Sequence, residues 1–86
     1  MWEYEIIEYK NFLKLERSLS ENSISAYVND VNKFVQFLEK KNLKISYVEI
    51  DSKIISNFLE YIVKLGISSY TQARIISGIK SFSPRN

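Results

Sequence analysis

An 86-residue chain that is 45% apolar and carries a formal charge of +2 makes one domain, and at this size it buries only about 60–65% of its extended surface, so its core must be well filled. It contains no cysteine and no histidine, which excludes disulfide staples, thiolate metal sites, imidazole bases and Ser-His or Cys-His nucleophiles. The small net charge does not by itself argue for nucleic acid, but it is unevenly spread: residues 1–16 hold four glutamates against two lysines, whereas residues 61–86 hold Lys64, Arg74, Lys80 and Arg85 with no acid.

Two glycines, one proline and little alternation of β-branched residues predict helix almost throughout. The first predicted helix, about residues 2–17, spaces Trp2, Ile6, Tyr9 and Leu13 at helical intervals, with Ile7 and Phe12 widening the stripe. Its start, MWEYEIIEYK, is acidic where a signal peptide would be basic, and no segment approaches the roughly 18 apolar residues of a membrane span. A soluble, cytoplasmic chain without a membrane partner is expected. The second helix, about 22–41, has the clearest pattern: Ile24, Tyr27, Val28, Val31, Phe34, Val35 and Leu38 follow i, i+3, i+4, i+7. Ser20 or Asn22 would cap its start, Lys40 and Lys41 complement the negative end of its dipole, and Asn42 can end it in a left-handed conformation.

After the connection NLKISYVEI, Asp51 or Ser52 caps a third helix, about 51–65, with Ile54, Ile55, Phe58, Leu59, Ile62 and Val63 directed inward and Gly66 beyond its end. Ser68 or Ser69 starts the fourth, about 69–82, which buries Ile75, Ile76, Ile79 and Phe82 and is followed by Pro84. The connections are short, so a compact all-α four-helix domain covering residues 1–86 is expected.

The outer face of the fourth helix is unusual. Tyr70, Thr71, Arg74, Ser77, Gly78 and Ser81 gather around one arginine with no acid in the segment, and Gly78 costs about 1 kcal/mol of helix stability relative to alanine. The second helix offers a comparable stripe in Asn22, Ser25, Asn29, Lys33, Gln36 and Lys40, with Glu21, Asp30 and Glu39 to either side. Hydroxyl, amide and basic groups on two helices suit phosphates and base edges of duplex DNA, and Gly78 would let the DNA backbone come close. A protein-interaction module that docks a partner helix near Gly78 is the alternative. Asp30, Glu49 and Asp51 show no metal spacing and read as caps or surface charges, and there is no phosphate loop or nucleophile elbow. No metal, cofactor or small-molecule ligand is expected, and no catalytic residue is assigned.

Two stretches together carry a family resemblance. LSENSISAYVNDVNKFVQFLEKKNL, residues 19–43, resembles the L-S-x-N-T-x-x-A-Y-x-x-D-L-x-x-F-x-x-F-L segment that opens the N-terminal core-binding domain of tyrosine recombinases of the Xer and phage-integrase type. TQARIISGIKSF, residues 71–82, is similar to that family's T-x-x-R-x-L-S-A-L-R-S-F. The resemblance implies a SAM-like four-helix domain that grips a recombination half-site through its second and fourth helices, while a separate C-terminal catalytic domain, absent from this chain, breaks and rejoins DNA. It places Asn22, Ser23 and Tyr27 at phosphates on the second helix and Thr71, Arg74, Ser77 and Lys80 on the fourth. It also implies contacts with other protomers through the first helix. Together with Asn29, Lys33, Tyr70 and Ser81 from the two stripes, these are the expected DNA-binding residues, with Arg74 the best placed for a base. Ser23 stands where the family often has threonine, Val28 and Asn29 where it has basic residues, Gly78 where it has alanine and Lys80 where it has arginine, so a weaker affinity is expected of the isolated domain.

Overall fold

The computed structural model describes residues 1–84; Arg85, counted above with the basic end, lies outside the described residues. Four helices follow one another: α1 (Glu3–Leu15), α2 (Glu21–Lys40), α3 (Ser52–Lys64) and α4 (Ser69–Phe82), with a 3₁₀ turn at Tyr47–Glu49 before α3. The all-α, four-helix expectation holds. Each predicted boundary lies within two residues of the observed one, and the 3₁₀ turn is new.

Side-chain caps start three of the helices. The Ser23 N–H donates to Ser20 Oγ (3.3 Å), Ile54 N–H to Asp51 Oδ1 (2.9 Å) and Thr71 N–H to Ser68 Oγ (3.4 Å), each satisfying an orphan donor of a first turn. Asn42 (φ 55°) and Gly66 (φ 81°) take the left-handed positions that close α2 and α3. In the connection, Ser46 N–H donates to Glu49 Oε1 at 2.7 Å, a capping box that holds the Glu49 carboxyl below its ordinary pKa. Helix α1 differs, because Trp2 precedes it in a left-handed conformation (φ 62°) with no side-chain cap. Its ring instead anchors the helix start, packed between Phe34, Tyr47 and Phe82 with centroids 5.9–6.3 Å away.

Helix α2 is the centre of the domain and packs on the other three. Val31, Phe34, Leu38, Phe58, Ile62, Ile75 and Ile79 are fully buried. Phe37 belongs with them, although it falls outside the strict stripe, because it widens α2 toward α3 and meets Phe58 (5.4 Å) and Tyr61 (5.1 Å). Three apolar residues expected inside are not. Ile7, Leu59 and Val63 are 57%, 36% and 49% exposed, because α1 and α3 flank the molecule and each needs a narrower buried stripe than α2.

Helices α2 and α4 run antiparallel, since Tyr27 lies against Gly78 while Asp30, further along α2, meets Arg74, further back along α4. Gly78 makes this approach feasible. A Cβ there would stand 2.9 Å from Tyr27 Cδ1, and its carbonyl accepts from the buried Tyr9 hydroxyl at 3.1 Å. The expectation that Gly78 admits a DNA backbone is therefore corrected: the ring of Tyr27 occupies the space its missing side chain leaves.

Gly78→Ala should lower stability by about 1 kcal/mol in urea unfolding, overpacking against Tyr27 outweighing the helix-propensity gain. The same change in a Tyr27→Ala background should stabilise the domain. Tyr9→Phe removes the hydroxyl's hydrogen bond to the Gly78 carbonyl and should cost about 1 kcal/mol at pH 7. Burial raises the Tyr9 hydroxyl above its ordinary pKa of 10.0, so wild-type stability is full below about pH 10 and falls as pH rises past it. In thermal melts from neutral to alkaline pH, Tyr9→Phe should show the shallower fall.

Candidate nucleic-acid interface

Along α2, Tyr27 and Asp30 meet α4, and Val31 and Phe34 are buried at the same helical intervals, so a carboxylate falls on the buried face. Asp30 has no exposure at all and is the one buried charged side chain among the described residues. Such a group is stable only if both its oxygens are paired. Arg74 of α4 supplies the partner: its Nε donates to Oδ2 at 3.1 Å and its Nη2 to Oδ1 at 2.9 Å, the bidentate side-on geometry that favours arginine over lysine. Lys33, one turn along α2, brings Nζ to 3.7 Å from Oδ1. The cations form the lid of the group, with side chains 37% and 44% exposed.

The electrostatic picture inferred from the two stripes changes accordingly. Asp30 is not a charge beside the α2 stripe but lies beneath it, so the cluster of Asp30, Lys33 and Arg74 carries one net positive charge. The sequence signal for this was available, since Asp30 falls in register with Tyr27, Val31 and Phe34, but nothing in the chain order pairs it with a residue 44 positions away.

The remaining expected residues occupy several places. Ser23 and Thr71 sit in the first turns of α2 and α4, where each hydroxyl accepts from the capping serine, Ser20 at 3.2 Å and Ser68 at 3.1 Å. Asn22 and Asn29 are exposed on α2, and Tyr70 is 84% exposed at the start of α4. Ser77 and Lys80 turn toward α3, lining a shallow groove with Leu59, Ala73 and Ile76. Ser81 faces α1 instead, beside Tyr9, Glu5 and Glu8. The structure thus brings Lys33 and Arg74 together on Asp30 and Tyr27 onto Gly78, and it spreads the others around that centre. Lys40 of the α2 stripe is drawn to α3, donating to the Tyr61 hydroxyl at 3.2 Å. Among the described residues there is no group of three or more acidic, histidine or cysteine side chains able to hold a metal, and no helix long and apolar enough to cross a membrane.

Residues 6–83 match the family described as phage integrase, N-terminal SAM-like domain. The chain belongs to this family. Among curated relatives of this integrase-type domain, tyrosine recombinase XerD of Staphylococcus epidermidis is 44% identical over 78 residues, which cover 90% of this chain and 26% of that protein. XerD of Staphylococcus saprophyticus is also 44% identical over the same span, and XerD of Oceanobacillus iheyensis is 34% identical over 82 residues, or 95% of this chain and 28% of the relative. The SAM-like chain therefore spans about a quarter of the length of the relatives it matches. No solved structure matches it.

The two halves of the pair should respond unequally to substitution. Arg74→Ala leaves the Asp30 carboxylate buried with only Lys33 near it and should cost about 3 kcal/mol, whereas Asp30→Asn leaves an arginine that can reach water and should cost about half as much. Denaturant unfolding followed by circular dichroism measures both. A larger loss for Asp30→Asn than for Arg74→Ala would contradict this account of the pair.

Proposed function

We propose that this SAM-like domain binds double-stranded DNA through the outer faces of α2 and α4, as the non-catalytic N-terminal part of a tyrosine recombinase acting in the cytoplasm on recombination sites. The observation that carries the reading is the cationic lid over Asp30, built jointly by the two helices in a chain that matches the integrase SAM-like family. Arg74 and Lys33 stand at the centre. The hydroxyls of Ser23 and Thr71, Asn22 and Asn29 on α2, and Tyr70, Ser77 and Lys80 around α4 supply further polar contacts to the phosphate backbone, whereas Ser81, beside the acids of α1, is left out of this surface. Strand cleavage belongs to a catalytic domain carried by other residues than these.

The acidic, partly apolar surface of α1, where Glu3, Glu8, Tyr4 and Ile7 are exposed, repels DNA and suits contacts with a neighbouring protomer on the same site. The competing interaction-module reading loses its docking surface, because Gly78 is buried under Tyr27.

Anisotropy titration of a fluorescein-labelled, mixed-sequence duplex of about three helical turns tests the reading. Affinity should fall steeply between about 50 and 200 mM salt, and Lys33→Ala should reduce the slope of log K against log salt by about 1. Replacing Asp30 and Arg74 together by Asn and Gln leaves net charge unchanged and keeps an amide pair in the seam. That double variant should bind several-fold more weakly. Wild-type affinity in both variants would refute the α2–α4 surface.

A further inference from the structure

An acid at the centre of a surface that binds a polyanion is an electrostatic handicap, and here it also bears the desolvation of a fully buried carboxylate. Its geometry indicates what it contributes. Both Asp30 oxygens face the Nε–Nη2 edge of Arg74, so the planar guanidinium is fixed with its Nη1–Nη2 edge turned away from the carboxylate. That second edge can still offer two parallel N–H donors, matched to the two free oxygens of a phosphodiester. Because the guanidinium is drawn back to the α2–α4 seam, its reach beyond the helix surface is short, which suits a backbone phosphate rather than a base edge deep in a groove. Lys33 on the same carboxylate keeps the cluster net positive.

We propose that Asp30 is a positioning residue that presents the free edge of Arg74 to a DNA backbone phosphate; this rests on the DNA-binding reading above. Ordering the side chain before binding removes an entropic cost that a free arginine would bear on association. Charge alone and positioning predict opposite signs. Asp30→Asn removes a negative charge, so if Asp30 served only to neutralise, affinity for DNA would rise.

The test uses the full 86-residue chain and the same mixed-sequence duplex, at a temperature where circular dichroism shows each variant folded. Asp30→Asn should bind about three- to tenfold more weakly despite its added positive charge. Arg74→Lys, which keeps the charge but not the fork, should weaken binding to a similar extent. In the Arg74→Lys background, Asp30→Asn should instead strengthen binding, since only charge is left to act. A fold defect produces no such reversal. The Arg74 Nε–H resonance should be sharp and exchange-protected in the free wild type and lost in Asp30→Asn. Equal or tighter binding by Asp30→Asn, while the wild type binds, overturns the positioning role and leaves the DNA reading intact. Failure of the wild type to bind removes both. If Asp30→Asn does not fold, Arg74→Lys decides, and wild-type affinity there overturns the proposal.

Discussion

A carboxylate without access to water must be met by a cation in good geometry, and in this domain that requirement couples the two helices proposed to face DNA. Asp30 is buried on α2, and apart from Lys33 on its own helix, a cation reaches it only from a helix packed at the right height. Arg74 does so with two hydrogen bonds, which sets the register of α4 against α2. One pair therefore specifies packing and organises the charged surface, so a substitution at Arg74 perturbs the fold and the surface together. Asp30→Asn and the Asn/Gln double variant separate those effects better than truncation does.

The approach of α4 is completed at its next turn. Gly78 has no side chain, the ring of Tyr27 fills the space, and the Tyr9 hydroxyl binds its carbonyl. Three helices are thus joined at one glycine by packing and one hydrogen bond, with the bidentate pair one turn away. Aromatic packing of Trp2, Phe34, Tyr47 and Phe82 then ties the start of α1 to the end of α4, supplying the order that α1 lacks from a cap. For a domain of this size, with no cysteine to form a disulfide, such dense aromatic contact provides much of the available burial.

Charge is distributed to match these roles. The cations of α2 and α4 stand over one buried acid, while the exposed acids of α1 lie on another flank beside exposed Tyr4 and Ile7. On the proposed DNA-binding reading, this polarity would turn the α2–α4 face toward a polyanion and the α1 flank away from it, through long-range electrostatics that salt weakens.

Much was legible in the chain order itself. Helical periodicity located four helices, Ser20, Asp51 and Ser68 capped them, and Asn42 and Gly66 closed two of them, because caps and amphipathic stripes act within one or two turns. The paired motifs around Tyr27 and Arg74 also carried the family. What lay beyond local sequence were the relations between helices. Phe37 joined the core and Ile7, Leu59 and Val63 did not, since the width of a buried stripe depends on how many neighbours a helix has. Gly78 could serve a groove or a helix contact until Tyr27 was seen against it, and Asp30 read as a surface charge until Arg74 was found across the seam. Periodicity tells which face of a helix is buried, but only the packed structure decides what that face meets, because the partners are brought together by contacts dozens of residues apart in the chain.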